Sequence, residues 1–331
     1  MEHRPGLDPA VAEVRRAVRQ ALGTVPAGGT VIVALSGGAD SLALAAATAF
    51  EAGRLGVRAV AVTVDHGLQP GSARAAATAA DQARELGLET RVVSAQVGAD
   101  GGPEAAARDA RYAALDTAAS GLGASAVLVG HTLDDQAETV LLGLARGSGA
   151  ASLKGMAAVS ELASGVALLR PLLEVRRATT RAACAAAGLD PWEDPHNVDP
   201  RFARVRARVT VLPVLEAELG PGVAEALART AAQLREDADA FDEMIDETIE
   251  DIVEHAEAGI SVSAAALAAN PAALRHRIIR HVVAAEFGAS LTRSQTLEVA
   301  RLVTEWSGQG PIDLPGCRAR RVGGRVEFTA S

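Results

Sequence analysis

Over the first 170 residues, short runs of β-branched and other apolar residues alternate with longer alanine-rich segments. Thr30 to Leu35, Ala59 to Val64, Thr90 to Val93, Ala126 to Val129 and Val166 to Leu169 have the length and composition of strands. Segments near 41–53, 72–86, 103–120 and 133–145 read as helices between them. Strands that are apolar throughout, separated by helices, predict a parallel sheet covered on both faces, an α/β fold of Rossmann-like layout.

Past about residue 190 the strand pattern stops, and Pro191, Pro195 and Pro200 punctuate GLDPWEDPHNVDPRF, which reads as a linker. A long helix follows over roughly 222–257, where Leu234, Phe241, Ile245, Ile249, Ile252 and Val253 recur at helical spacing between acidic residues. Helices near 273–287 and 293–306 precede Gly323-Gly324, a hairpin signal. The expected organisation is a sheet domain over 1–195, a linker and arginine-rich segment over 196–220, and a smaller, mainly helical domain over 221–331.

The formal net charge of −9 argues against a nucleic-acid partner only until the acid is located. Residues 235–257 hold 11 of the 41 acidic residues and one of the 32 basic ones, so the rest of the chain has 30 acidic against 31 basic residues. That remainder is near neutral, with arginine clusters that can meet phosphates. Lys154 is the only lysine, which excludes a Walker phosphate loop. Cys184 and Cys317 stand far apart, so neither a disulfide framework nor a cysteine zinc site is expected, and a reducing cytoplasm fits. Met1 to Ala10 is polar and no long apolar run follows, so neither export nor a membrane partner is expected.

Candidate chemistry begins at VIVALSGGADSLAL, where a strand runs into Ser36-Gly37-Gly38 and a helix starts near Ala39, Asp40 and Ser41. Two glycines let the backbone turn closely around a bulky anion, and the amides of a first helical turn face negative charge. Ser36 and Ser41 add hydroxyl donors. Asp40 would repel a phosphate unless a divalent cation stood between them, which makes it a candidate Mg2+ ligand, although Asp or Ser here could simply cap the helix. Asp65 and His66 follow the second strand and, by the same strand-end logic, belong to a nucleotide rim.

GHTLDDQAETVLLGLARGSG follows the fourth strand. A helix starting near His131 would gather His131, Asp134, Asp135 and Glu138 within about 100° of one another, with Leu133, Ala137, Val140, Leu141 and Leu144 opposite. Acidic residues at a helix start also answer to the helix dipole, so position at a strand end is what favours a ligand site. Later, Arg201, Arg204, Arg206 and Arg208 alternate in RFARVRARV, so that some must face water or phosphate.

The strand–SGGADS–helix unit resembles the PP-loop ATP pyrophosphatases, which implies ATP cleaved between its α and β phosphates. SGGADS, HTLDDQAET, RGSGAASLKGM, LLRPLL and DPHNVDPRFARVRARVTVLPVL, in that order, resemble more narrowly the tRNA(Ile)-lysidine synthases, in a short form without an extra terminal domain. The sequence departs from that pattern at Gly130, read as standing where a histidine is common, and at Ser152 and Val205. The resemblance implies that ATP adenylates the 2-oxo oxygen of the wobble cytidine in tRNA(Ile) with a CAU anticodon, and that L-lysine displaces AMP. It implies a loop of Ser36 to Ser41 around ATP, with Asp40 and Mg2+. His131 would assist adenylation, Asp135 and Glu138 would seat the lysine ammonium, and Arg111, in ARDARY beside Arg108, would hold a phosphate or the lysine carboxylate. The resemblance further implies that 1–195 is the PP-loop ATP-binding catalytic domain, that Arg201, Arg204, Arg206 and Arg208 contact tRNA, and that 221–331 is a tRNA-binding domain, and a second copy of the chain is a further candidate partner. A thiolating or amidating PP-loop enzyme is the alternative among enzymes, disfavoured by the lack of a cysteine pair. A non-catalytic ATP-binding module is the alternative outside them, disfavoured by Asp40, His131, Asp135 and Glu138 standing together.

Overall fold

The computed structural model describes residues 6–65, 67, 71–95, 103–147, 149–256 and 259–331, which form two compact units, Met1–Leu234 and Arg235–Ser331. In the first, β1 (Thr30–Ala34), β2 (Arg58–Asp65), β3 (Glu89–Ser94) and β4 (Ala126–Leu128) are separated by α2 (Ala39–Leu55), α3 (Ser72–Glu85) and α4 (Pro103–Leu122), with α1 (Pro9–Leu22) ahead of them. The chain continues through α5 (Leu133–Ala145), α6 (Ala150–Leu153), β5 (Val159–Glu161), β6 (Ala167–Leu169) and α7 (Arg177–Ala186). Then come α8 (Ala203–Arg206), a π-helical turn over Ala207–Val211, α9 (Leu212–Leu219) and α10 (Val223–Ile252).

The sheet runs β3-β2-β1-β4-β6-β5, parallel except where β5 pairs antiparallel with β6 at the edge. Period-two alternation splits each strand between two cores. Val31 and Val33 join Leu22, Leu42 and Leu172 on one face, while Ile32, Val60, Val62 and Val127 join Leu115 and Leu168 on the other. The strand order reverses between β1 and β4, and a crevice opens at the carboxyl ends of strands where such a reversal occurs. The two stretches singled out in the sequence follow β1 and β4.

Two parts of this unit differ from the sequence expectation. The helix α1 has no counterpart in it, yet Val14, Val18 and Leu22 are fully buried. The proline-punctuated stretch is fastened to the sheet domain: Gln82 bonds the Asp190 carbonyl at 2.9 Å and accepts its N–H at 2.8 Å, and Trp192 N donates to the Gly37 carbonyl at 2.9 Å. Residues 196–220 likewise fall within the first unit.

The second unit contains the end of α10, then β7 (Val253–Ala256), β8 (Gly259–Ser263), α11 (Ala264–Ala269), α12 (Ala272–Phe287), α13 (Arg293–Thr304), β9 (Ile312–Leu314), β10 (Cys317–Val322) and β11 (Arg325–Ala330). Beside the expected helices stands a five-stranded sheet, β7-β8-β11-β10-β9, of which the sequence pattern showed only the last hairpin. That hairpin turns through Gly323 and Gly324, both at positive φ (53° and 85°), between the Val322–Arg325 pair. The long helix ends at Ile252 instead of about 257, because Val253 to Ala256 pair with Gly259 to Val262. Phe328, Ile278, Ile279, Leu267 and Val299 are buried at the centre of this unit.

Candidate active site

The turn after β1 is held by its own two serines. Ser41 Oγ accepts from Ser36 N at 3.2 Å and donates to the Gly38 carbonyl at 2.9 Å, with Ser36 Oγ 3.1 Å away. Gly37 has φ +84°, and a Cβ there would stand 3.3 Å from Ala79 Cβ. No side chain caps α2, so its first amides remain available to an anion, and the capping alternative for Ser36 and Asp40 does not apply. Gly130, at the end of β4, packs against this turn: a Cβ on it would lie 3.2 Å from the Asp40 carbonyl and Ser41 N. A side chain at this position would press on the loop backbone, which would have to give by a few tenths of an ångström.

The helix α5 starts with a capping box. Asp135 Oδ2 accepts from Thr132 N and Thr132 Oγ1, both at 2.8 Å, which leaves Oδ1 to face the first turn of α7. There Arg177 Nη2 donates to Asp135 Oδ1 at 2.7 Å and Arg177 Nη1 to Glu138 Oε1 at 3.0 Å, while its Nε stands 3.5 Å from Asp40 Oδ2. Arg208 reaches the same carboxylates from the π-helical turn, with Nε on Glu138 Oε1 at 2.7 Å and Nη2 on Glu138 Oε2 at 3.0 Å. Thr180, one turn after Arg177, donates to Asp40 Oδ1. Asp134 serves α7 instead, accepting from Arg177 N at 2.7 Å. Asp40, Asp135 and Glu138 thus face two guanidiniums, and when all are ionised one negative charge remains.

Environment separates these carboxyls. Burial outweighs the Thr180 hydrogen bond and the Arg177 charge, raising the Asp40 carboxyl above its ordinary range. Burial also pushes Asp135 upward, but Arg177 and the Thr132 hydrogen bonds together prevail and hold it below that range. His131 is pushed down to about 3 by burial, against the pull of Asp135 and with the help of Arg108 and Arg111, so its ring is neutral at neutral pH. Its Nδ1 is buried with no hydrogen-bond partner among the described residues.

These groups share one cleft of about 560 Å³ at the strand-order reversal, lined by Ser36, Gly38, Asp40, Ser41, Asp65, His131, Asp135, Arg177 and Arg208 among others. Arg108 and Arg111 from α4 and Arg204 from α8 form a cationic wall. Arg204 bonds Thr139 Oγ1 at 3.1 Å, Arg108 bonds the Tyr112 hydroxyl at 3.3 Å, and Arg111 lies 5.5 Å from the Tyr112 ring. None of the three has a carboxylate partner among the described residues, and burial, then Arg108 and Arg204, lower the Arg111 pKa. Ala39 belongs to the loop but not to the lining. Glu138 lies behind the lining with no solvent exposure. Asp65 Oδ1 accepts from Gly67 N at 3.0 Å, and His66 lies outside the described residues.

The four arginines expected to contact tRNA divide into two pairs. Arg201 and Arg206 are exposed, bonded to Asp199 and to the Pro200 and Arg201 carbonyls. Arg204 and Arg208, expected as tRNA contacts, line the cleft, where Arg208 pairs with Glu138 and Asp135. Sequence reasoning missed Arg177 as the hub and Thr180, Trp192, His196 and Phe202 as neighbours of the site. The last two form an edge-on ring pair 5.8 Å apart. Arg177 follows the end of β6, so the strand-end rule applied to β1 and β4 would have found it.

The chain is similar to known proteins along most of its length. Residues 11–215 match the PP-loop domain family and residues 263–327 the TilS substrate binding domain. The chain is 60% identical over 303 residues to the tRNA(Ile)-lysidine synthase of Leifsonia xyli, covering 91% of this chain and 90% of that protein. It is 52% identical to the tRNA(Ile)-lysidine synthase of Thermobifida fusca, covering 98% and 99%. Among solved structures, a U34-tRNA thiolase from Methanococcus maripaludis superposes with a TM-score of 0.59 over 69% of this chain and 80% of that one, at 20% identity, a likeness of fold.

Proposed function

This chain belongs to the tRNA(Ile)-lysidine synthase family, and on that premise we propose how its cleft carries the reaction. The enzyme is a C–N ligase. ATP adenylates the 2-oxo oxygen of the wobble cytidine of an isoleucine tRNA, pyrophosphate leaves, and the lysine ε-amine then attacks C2 and displaces AMP. The observation that carries this reading is that the anion-binding turn and the carboxylate helix α5 open onto a single cleft.

Ser36 to Ser41 hold the β and γ phosphates through backbone amides and the two hydroxyls, with Asp65 at the rim. Arg108, Arg111 and Arg204 answer the remaining phosphate charge, and Arg111 is also placed to take the lysine carboxylate. The neutral His131 ring donates to, or accepts from, the groups around the α phosphate. Among the described residues no cluster of three or more His, Cys, Asp or Glu could hold a metal by itself. Magnesium is commonly held by one carboxylate plus substrate phosphates, and Asp40, which lines the cleft with its Oδ2 3.5 Å from Arg177 Nε, would supply that carboxylate. Bound there, Mg2+ would offset phosphate charge.

Lysine's ammonium is seated against Asp135, which lines the cleft. An ammonium with a pKa near about 10.4 must lose a proton before attack. Asp135, held below the ordinary range, is a seat rather than a base, and Asp40 is the more basic of the two. The substrates assign the reaction to the cytoplasm. No helix among the described residues is long and apolar enough to cross a membrane. Cys184 and Cys317 are both buried, which disfavours the thiolating alternative. AMP release measured with tRNA, lysine or both omitted tests the proposal. Formation of the amine-linked product only with both supports it, and turnover with ammonia or glutamine instead rejects it.

A further inference from the structure

One side chain stands between the seat for the amine and the turn for the phosphates. A carboxylate offers about four acceptor sites, and those of Asp135 are all taken. Thr132 N and Thr132 Oγ1 donate to Oδ2, both at 2.8 Å, while Arg177 Nη2 and Arg208 Nη2 donate to Oδ1 at 2.7 and 3.3 Å. The Thr132 bonds cap α5 and belong to the fold. An ammonium that reaches Asp135 must therefore displace a guanidinium from Oδ1. Yielding the Arg208 contact alone would leave the ammonium beside Arg177 on the same oxygen, cation against cation. Arg208 is also the fixed member of the pair, since its fork holds both oxygens of Glu138, at 2.7 and 3.0 Å. Arg177 divides its donors instead, one to Asp135 at 2.7 Å and one to Glu138 at 3.0 Å, with its Nε 3.5 Å from Asp40 Oδ2. Its backbone is pinned, because Arg177 N donates to Asp134 Oδ2 at 2.7 Å, so the side chain alone can turn. Asp40 lies in the first turn of α2, where the phosphate turn ends, so the guanidinium is one side-chain swing from an anion held there.

We propose that Arg177 is a positioning residue shared between the two small substrates: nucleotide phosphate draws its guanidinium off Asp135, and the seat for lysine opens once ATP is in the cleft. This rests on the lysidine synthase reading, which supplies both ligands, and adds the order in which they bind. A phosphate offers the fork two oxygens of one group, which the divided contacts to Asp135 and Glu138 do not. Such coupling is reciprocal, so lysine strengthens ATP binding by the factor that ATP strengthens lysine binding.

The test is calorimetric titration of the full chain with L-lysine, with and without α,β-methylene ATP, which cannot release pyrophosphate. In the wild type the analogue tightens lysine binding about ten-fold, and lysine tightens analogue binding equally. Arg177→Gln binds lysine more tightly than wild type when the analogue is absent, and the analogue then changes its lysine affinity less than about two-fold. Arg177→Lys, which keeps a positive charge for the fold but has no fork, lowers the ratio. A purely structural role for Arg177 would weaken both ligands and leave the ratio intact. Wild-type lysine affinity that the analogue leaves unchanged or lowers overturns the proposal without any variant, as does the full ratio persisting in either folded variant. Neither result touches the reaction itself. The lysidine synthase reading fails only if the wild-type enzyme forms no lysine adduct on the isoleucine tRNA, whatever these affinities show.

Discussion

Arg208 grips Glu138 with two hydrogen bonds, Nε to Oε1 at 2.7 Å and Nη2 to Oε2 at 3.0 Å, and the carboxylate it holds has no solvent exposure. Arg177 completes the neutralisation from the other side at 3.0 Å. A buried carboxylate between two guanidiniums is costly to break from one side, because the partners left behind are uncompensated. Glu138→Ala should therefore lower stability by about 3–5 kcal/mol as well as impair lysine use. Glu138→Gln should keep part of the hydrogen bonding and lose less. Urea midpoints together with the KM for lysine check both, and an alanine variant as stable as wild type would contradict the pairing.

Arg208→Ala separates the sequence expectation from the structural one. A surface phosphate contact would lower the salt slope of tRNA binding by about one when removed. Its commitment to Glu138 and Asp135 predicts an unchanged slope, a raised KM for lysine and a lower urea midpoint.

His131 gives the fold a pH dependence. Its folded pKa of about 3 lies below the value near 6.5 in an unfolded chain, so between those limits the unfolded state binds more protons and stability falls on acidification. Going from pH 7 to pH 5 should cost about 2 kcal/mol through this group. His131→Asn should remove that portion of the slope, as thermal melts at the two pH values would show.

At Gly130 the prediction is catalytic. Gly130→Ala places a Cβ 3.2 Å from the Asp40 carbonyl and must push the phosphate-binding turn by a few tenths of an ångström. Misplacement on this scale near a reacting group predicts a fall in kcat/KM for ATP of roughly ten-fold, with a smaller effect on the thermal midpoint. A wild-type kcat/KM would show that the loop absorbs the methyl.

Much of the nucleotide domain was legible because its strands are continuous apolar runs and its turn glycines have no substitute, as at Gly37. The helix α1 was missed because arginines flank its buried Val14 and Val18 and dilute the apolar stripe. The second sheet was hidden differently: β10 buries Cys317 and Ala319 between exposed arginines, so its inward face is too small to register as a strand. The convergence of Asp40, His131 and Asp135 on one cleft was legible from their strand ends. The destinations of Arg177 and Arg208 were not, because a guanidinium's partner is set by tertiary approach, in this case of α7 and the π-helical turn to α5.

A single cleft is proposed to perform both ATP activation and amine transfer. It is tested most directly by incubating the purified chain with ATP, isotope-labelled lysine and the isoleucine tRNA, then weighing the wobble nucleoside by mass spectrometry. A nucleoside carrying the labelled lysine is expected with wild-type protein, and neither that product nor AMP with Asp40→Ala. An unmodified cytidine with the intact enzyme, or full modification by the Asp40 variant, would contradict it.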